Sequence, residues 1–377
     1  MTSELFSPLQ IRGVQLKNRI VASPMWQYSG DNGAPTATHT VTLGGFAEGG
    51  AGLVFQEGTS VDRKARGTIS DLGIWNDAMV PHFARLVDVI TSGGAVPGIQ
   101  LLHCGRKARR NPPWAAHEPN PPASEDWQLL APSPFASGLP GSEVPREMTS
   151  RDISDAIDGW INTARRADEA GYEVLEIHAA HGYLIHTFLS PLTNHRTDRY
   201  GGSPENRSRL LVEIVDGIRT VWPDRKPLFV RVSSVDAEWS IEQTIELVRL
   251  LQMHGVDVID CSSGGLTGKP DFGGAPSGYG YQVPYSERIR TETSVKTMAV
   301  GYIVHAEQAN DIIANGQADL VALGRELLHN PKWPIDAARK LGVEDPYAFA
   351  PNRISHWLRK RDNSFEGFLP STDRPVV

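Results

Sequence analysis

Eight times along its 377 residues the chain repeats one alternation, a short and almost unbroken apolar run followed by a longer amphipathic stretch. The runs fall at 19–22, 52–56, 96–101, 174–177, 228–232, 256–261, 295–300 and 320–323. Apolar residues at consecutive positions, rather than at every second one, suit strands buried on both faces, as in a parallel sheet covered by helices. The stretches between read as helices at 36–49, 78–92, 149–171, 204–221, 240–254 and 306–315, with others starting near Pro284 and at 325–329. Local signals agree. Thr149 or Ser150 can cap a helix with Asp152 in its first turn, Pro204 suits a first helical position, and Gly316 suits a stop. A doubly wound open sheet shows the same alternation, but a count of eight predicts a closed (β/α)8 TIM barrel of the α/β class. One connection departs from the pattern. Residues 104–148, rich in proline and tryptophan, are too many for a structureless loop and are expected to form a lid over the strands' C-terminal ends. The whole, 1–377, reads as one barrel domain with that lid and a C-terminal tail at 341–377.

Composition narrows the partners. Lysine plus arginine is 37 and aspartate plus glutamate 44, a formal net charge of −7, which argues against nucleic acid or an anionic membrane as the main partner. Cys104 and Cys261 are too few for a disulfide framework or an iron–sulfur cluster, which takes about four thiolates. Residues 1–20 carry charges throughout and lack the apolar core of a signal peptide. No run reaches the roughly 18 apolar residues of a membrane helix. A cytoplasmic protein with reduced thiols, acting on a small molecule, is expected.

Polar residues and glycines gather just after the runs, where barrel enzymes place their sites. Ser23, Pro24, Met25, Trp26, Gln27 and Tyr28 follow the first run, Gly58 the second, His178, His181 and Tyr183 the fourth, Gly301 the seventh, and Gly324 with Arg325 the eighth. Gly301, Gly324 and Arg325 occupy the usual phosphate location in barrels; the competing reading is two loop glycines and a surface arginine. His178 and His181 are three apart and would share a face on a helical turn. Two histidines lack the further ligands zinc takes, so no metal is expected; they suit two donors gripping a carbonyl or phenolate oxygen, or else are structural. Gln100 and Arg231 stand inside apolar runs, where an amide or a charge must have partners. Either they form an internal structural pair, or both face the barrel mouth and bind a planar polar ring.

The stretch Ser190-Pro-Leu-Thr-Asn-His-Arg-Thr-Asp-Arg-Tyr-Gly-Gly-Ser-Pro-Glu-Asn-Arg207 resembles the long signature of the Old Yellow Enzyme family, as does His178-Ala-Ala-His-Gly-Tyr-Leu-Ile185. Gly98-Ile-Gln-Leu-Leu-His-Cys-Gly-Arg-Lys107 resembles that family's third strand, and residues 67–75, Gly301 and Leu323-Gly-Arg325 fall in the same order. The likeness runs from Leu5 to about Trp357, and the pair His178 and His181 with Tyr28 is similar to the bacterial thermophilic-like branch that includes xenobiotic reductases. The resemblance implies FMN as cofactor, NADPH or NADH as reductant, and enones, nitroalkenes or related electrophilic alkenes as oxidants. It implies Ser23, Pro24, Met25, Gly58, Gln100, His178 and Arg231 around the flavin ring and ribityl chain, and Gly301, Gly324 and Arg325 at the phosphate. His178 and His181 become the donors to the substrate oxygen and Tyr183 the proton donor, with Trp26 and Tyr28 completing the substrate pocket. The segment His356-Trp357-Leu358-Arg359 resembles one that reaches a neighbouring subunit's site, implying a homodimer or a multiple of it.

Two positions depart from the branch. Trp26 stands where cysteine is usual, replacing a thiol by a large ring with one N–H donor, and Gly58 stands where alanine is common. Two alternatives stay beside ene-reduction. One is a cluster-free flavin-dependent N-demethylase, whose cationic amine the Trp26 ring face could attract. The other is a non-catalytic flavin-binding protein.

Overall fold

In the computed structural model, which describes residues 3–124, 127–267 and 278–364, the eight runs form eight parallel strands closed into a barrel. The strands are β1 (Ile20–Ala22), β2 (Leu53–Ser60), β3 (Val96–Leu102), β4 (Val174–Ala179), β5 (Leu228–Ser233), β6 (Val258–Ser262), β7 (Lys296–Val300) and β8 (Leu320–Leu323). Each pairs with its sequence neighbours, and β8 closes onto β1 with Val321 opposite Ile20. Outside lie helices α1 (Ala37–Glu48), α2 (Val80–Ser92), α3 (Ser150–Glu169), α4 (Pro204–Arg219), α5 (Ile241–Met253), α6 (Val283–Thr293), α7 (Ala306–Ala314) and, after the short helix Arg325–His329, α8 (Trp333–Lys340). Among the described residues no helix is long and apolar enough to cross a membrane.

The cap of α3 is Thr149. Its Oγ1 accepts the Asp152 N–H at 3.2 Å while Asp152 Oδ2 accepts the Thr149 N–H at 2.7 Å. Arg146 grips the same carboxylate with two bonds of 2.8 Å, holding the Asp152 carboxyl well below the usual range and tying the end of the 104–148 segment to the helix. That segment is not structureless. It holds the turns Gly105–Lys107 and Pro113–Ala115 and a pair of two-residue strands, Leu130–Ala131 and Arg146–Glu147. Its residues 125 and 126, and residues 365–377 of the C-terminal tail, lie outside the described residues.

Three features differ from the sequence expectation. Strand β2 does not stop at Gln56; it continues to Ser60 through an irregularity in its pairing with β3 between Gln56 and Thr59. Thr59 Oγ1 holds that kink, accepting from Gln56 Nε2 at 2.7 Å and donating to the Glu57 carbonyl at 2.8 Å. A short helix, Leu184–Leu189, follows β4, and a longer one, Asn352–Asp362, lies in the tail. The third is an antiparallel hairpin, Leu9–Ile11 with Val14–Leu16, ahead of β1. Leu9, Ile11, Val14 and Leu16 pack against Leu53, Val174, Val258 and Leu320 at the strands' starts, and so cork the N-terminal end of the barrel. Leu16 is about 1% exposed. Leu16→Ala should therefore lower stability by about 2–5 kcal/mol through the cavity it leaves, with ligand binding at the opposite end retained. Urea unfolding measures the loss; an unchanged midpoint would mean the cork carries no packing energy.

Candidate active site

A strand places every second side chain on one face, so each barrel strand sends one parity inward. On β4 the inward set is Val174, Glu176 and His178; on β5 it is Phe229, Arg231 and Ser233; on β6, Val258, Asp260 and Ser262. The interior thus passes from an apolar base through a polar middle to a reactive mouth at the C-terminal ends. Gln100 and Arg231 do not pair with each other. Gln100 Nε2 donates to Glu176 Oε1 at 2.7 Å, and Arg231 Nε lies 3.1 Å from Asp260 Oδ2.

His178 and His181 come together without sharing a helical turn. His178 ends the inward row of β4, whereas His181 sits in the loop beyond it in the left-handed region, at φ 58°. The sharp turn is completed by Gly182, also at positive φ, where a Cβ would stand 2.6 Å from the Gly265 carbonyl oxygen. His178 Nδ1 accepts the Ala180 N–H at 3.2 Å, which assigns the ring proton to Nε2. That nitrogen is 3.3 Å from His181 Nδ1, and His181 Nε2 is 2.6 Å from Ser262 Oγ. Ser262 and Ser263 in turn both donate to Gln282 Oε1. Burial, with Arg231 nearby, holds both imidazoles well below the ordinary histidine range, so they stand as neutral N–H donors.

Tyr183 stands edge-on to the His178 ring at 5.0 Å and to Trp26 at 5.6 Å. Burial pushes its phenol well above the usual range, so it keeps its proton at neutral pH. Lys107 lies over the same ring at 5.6 Å and donates to the carbonyls of His181 and Gly265; burial lowers its ammonium to about 8.

Two cavities meet at this point. The larger, about 610 Å³, is lined by His181, Tyr183, Arg231, Gly301, Gly324 and Arg325 among others. The smaller, about 280 Å³, is lined by Trp26, Tyr28, Asp71, Cys104, Tyr183 and by Arg110 and Leu139 of the 104–148 segment. Lys107 and Tyr183 belong to both. Ser23, Pro24, Met25, Gly58, Gln100 and His178 line neither cavity. Ser23 N donates to the end of β8 at Leu323, and Met25 lies beside Gly324. In the first loop, the Gln27 N–H donates to Glu57 at 2.8 Å, and Glu57 faces His39.

Sequence reading missed Lys107, Glu176, Asp260, Ser262, Gln282 and Asp71. For Glu176 and Asp260 the signal was present, since a charge in an apolar run is the same clue that singled out Gln100 and Arg231. Gln282 and Lys107 sit in loops and turns with no periodicity to mark them.

The donor set suits a flat heteroaromatic ring with an anionic tail. An amide and a guanidinium stand at one edge, and at the other end two glycines at strand ends leave the backbone approachable beside Arg325, whose charge lies over Tyr302 at 5.0 Å. A barrel with such a mouth falls in the class of flavin-mononucleotide oxidoreductases. Comparison with known proteins is specific. Residues 4–344 match the NADH:flavin oxidoreductase / NADH oxidase family. An NADPH dehydrogenase of Geobacillus sp. (strain WCH70) is 44% identical over 351 residues, spanning 91% of this chain and 96% of that protein. An old yellow enzyme homologue of Zymomonas mobilis superposes with a TM-score of 0.73 at 25% identity, covering 89% of this chain and 93% of that one. A 2-naphthoyl-CoA reductase gives a TM-score of 0.82 at 26% identity over 90% of this chain, which spans about half (53%) of that longer protein. The chain belongs to the Old Yellow Enzyme family of FMN-dependent NAD(P)H oxidoreductases.

The two departures from the branch pattern prove to be one packing unit. Trp26 Nε1 donates to the Gly58 carbonyl at 3.2 Å, and a Cβ at position 58 would lie 3.5 Å from that nitrogen and 2.9 Å from Leu102 Cδ2. Trp26 packs against the buried cluster of Leu102, Cys104 and Ala108, and an alanine at 58 would need Leu102 of that cluster to move. Gly58→Ala should destabilise the protein, and Trp26→Cys should relieve that loss, with a coupling of about 0.5–3 kcal/mol in a double-mutant cycle. Additive effects in urea unfolding would show the two positions to be independent.

Proposed function

We propose that this chain is an ene-reductase, reducing the activated C=C bond of enones, nitroalkenes or related electrophiles at the expense of NADPH or NADH. The observation that carries this reading is the position of Tyr183 at the junction of the two cavities, beside the neutral imidazoles of His178 and His181. Bound FMN supplies a hydride carrier. The residues present fit it. Gln100 and Arg231 suit the polar edge of the ring, with Ser23, Pro24, Met25 and Gly58 along the ring and ribityl chain, and Gly301, Gly324 and Arg325 suit the phosphate. His178 and His181, as uncharged donors, stabilise the negative charge that grows on the substrate oxygen. His181 turns from Ser262 to do so, because its Nε2 is engaged there. Tyr183, held protonated by burial, delivers its proton to the α-carbon from the opposite side, giving net trans addition. Trp26 and Tyr28 form the wall against which the alkene substituents lie, and the 104–148 segment acts as a lid that excludes water. The exposed Trp357 on the helix Asn352–Asp362 is the contact we assign to a symmetric dimer. Lys107 and Arg110 border the cavity beside Trp26, a poor setting for an ammonium ion, and this weighs against the N-demethylase alternative.

Tyr183→Phe should leave flavin reduction by NAD(P)H intact and slow cyclohexenone turnover by about 10²- to 10⁴-fold, with nitroalkenes less affected because their nitronates can take a proton from water later. Stopped-flow separation of the two half-reactions reads this directly, and undiminished enone turnover would move the proton donor elsewhere. Phenols should bind the FMN-loaded protein with a long-wavelength charge-transfer band. Replacing His178 and His181 together by alanine should abolish the band and cost about 10²-fold in rate per lost donor. A band that persists in the double variant would remove the imidazoles from the oxygen site.

A further inference from the structure

Beneath the mouth, the barrel holds more buried charge than its function so far uses. Glu176 and Asp260 are both 0% exposed, and Arg231 is the single cation the inward rows of β4, β5 and β6 set against them. The surrounding interior is apolar, with Phe55, Phe229, Met298 and Ala322. Two ionised carboxylates and one guanidinium would leave a net negative charge sealed from water, which is costly. The hydrogen bonds are also incomplete. Glu176 Oε1 accepts from Gln100, but Glu176 Oε2 has no partner, and neither oxygen of Asp260 has an aligned donor even though Arg231 is close. The two carboxyls come from alternate strands, β4 and β6, which share a layer in an eight-stranded barrel. One proton on Glu176 Oε2 removes the excess charge. Burial and the nearby Asp260 both push the Glu176 carboxyl well above its ordinary range, with Arg231 and Gln100 opposing.

The place of that proton decides which way Gln100 faces. With Oε2 protonated, Oε1 is a bare carbonyl and takes the Gln100 N–H, so the amide oxygen must turn the other way. It does: Gln100 Oε1 lies 3.3 Å from where a Cβ on Gly58 would stand, on the side of the mouth. We propose that Glu176 is a positioning residue, a neutral carboxylic acid that locks the Gln100 amide with its oxygen presented to the pyrimidine N–H of FMN. The proposal rests on the reading that Gln100 borders the flavin ring.

The test uses the whole chain, FMN-loaded and FMN-stripped, in five forms: unaltered, Glu176→Gln, Glu176→Leu, Gln100→Leu and the Glu176→Leu/Gln100→Leu double variant. Infrared spectra at neutral pH should show a carboxylic-acid carbonyl band, with or without FMN, that Glu176→Gln removes. Its absence from the unaltered protein would overturn the proposal whether or not the leucine variants fold. FMN dissociation constants, from flavin fluorescence, should rise about ten-fold or more for Glu176→Leu and for Gln100→Leu, since each removes a buried hydrogen-bond partner. Glu176→Gln, which keeps a carbonyl for Gln100, should stay near the original value. The double variant should bind no more weakly than Gln100→Leu alone. An additive loss, or a loss in Glu176→Gln as large as in Glu176→Leu, would overturn the proposal. Unchanged FMN affinity in Gln100→Leu would instead sink the assignment of Gln100 to the flavin, while the infrared band still decides the protonation of Glu176.

Discussion

Closure of eight parallel strands is the constraint from which the rest of this structure follows. Once β8 pairs with β1, every strand points its C-terminal end at one mouth, and the two-residue period of a strand becomes a vertical order inside the barrel. Moving two residues along β4 takes the interior from Val174 to Glu176 to His178, that is, from packing to electrostatics to the reactive surface. A one-residue slip in that strand would put Leu175 and Ile177 inside and turn the imidazole out among the helices. The candidate site groups on the strands therefore owe their placement to the register of the strands that carry them.

This dependence explains what could be read in the sequence and what could not. The eight runs, and most helices within two or three residues, were readable because burial on both faces leaves an unbroken apolar signature. The Thr149 cap and the Pro204 start were readable from turn and cap chemistry. The N-terminal hairpin was missed although Leu9, Ile11, Val14 and Leu16 alternate cleanly around Arg12-Gly13, because three-residue strands are too short to stand out from a loop. The end of β2 was misjudged because Glu57, Gly58 and Thr59 look like loop residues, whereas a side-chain clasp keeps them in the strand. At the site, the resemblance singled out Tyr183 and the histidines, but spacing could not reveal that His181 reaches Ser262, 81 residues further on. Partners supplied by another strand leave no local mark.

The mouth is also a place where the backbone is bent against its preference. Tyr28, His181 and Tyr302 all adopt positive φ without being glycine, a conformation that costs on the order of 1–3 kcal/mol per residue. Each borders one of the two cavities. The rigid interior beneath supplies the stability that lets these residues be held there, and the neutrality of the paired imidazoles follows from the same burial. In this family position, Trp26 and Gly58 show how a large side chain can be admitted near such a site. Volume gained at one residue is matched by volume surrendered at its neighbour, and the backbone carbonyl between them takes up the new donor.

The hairpin that corks the barrel has a consequence for how the chain is made. Its four apolar side chains emerge from the ribosome long before Met298, Leu320 and Ala322, on which they rest. The edge of β1 likewise waits for β8, roughly three hundred residues later, before its hydrogen bonds are satisfied. Until β8 is made, a nascent chain of this kind carries an exposed sheet edge and an uncovered apolar hairpin. Sequence-distant contacts of this sort make folding slow and leave partly built barrels prone to association. The burden that this architecture places on folding is thus the joining of sequence-distant segments at the base, far from the mouth.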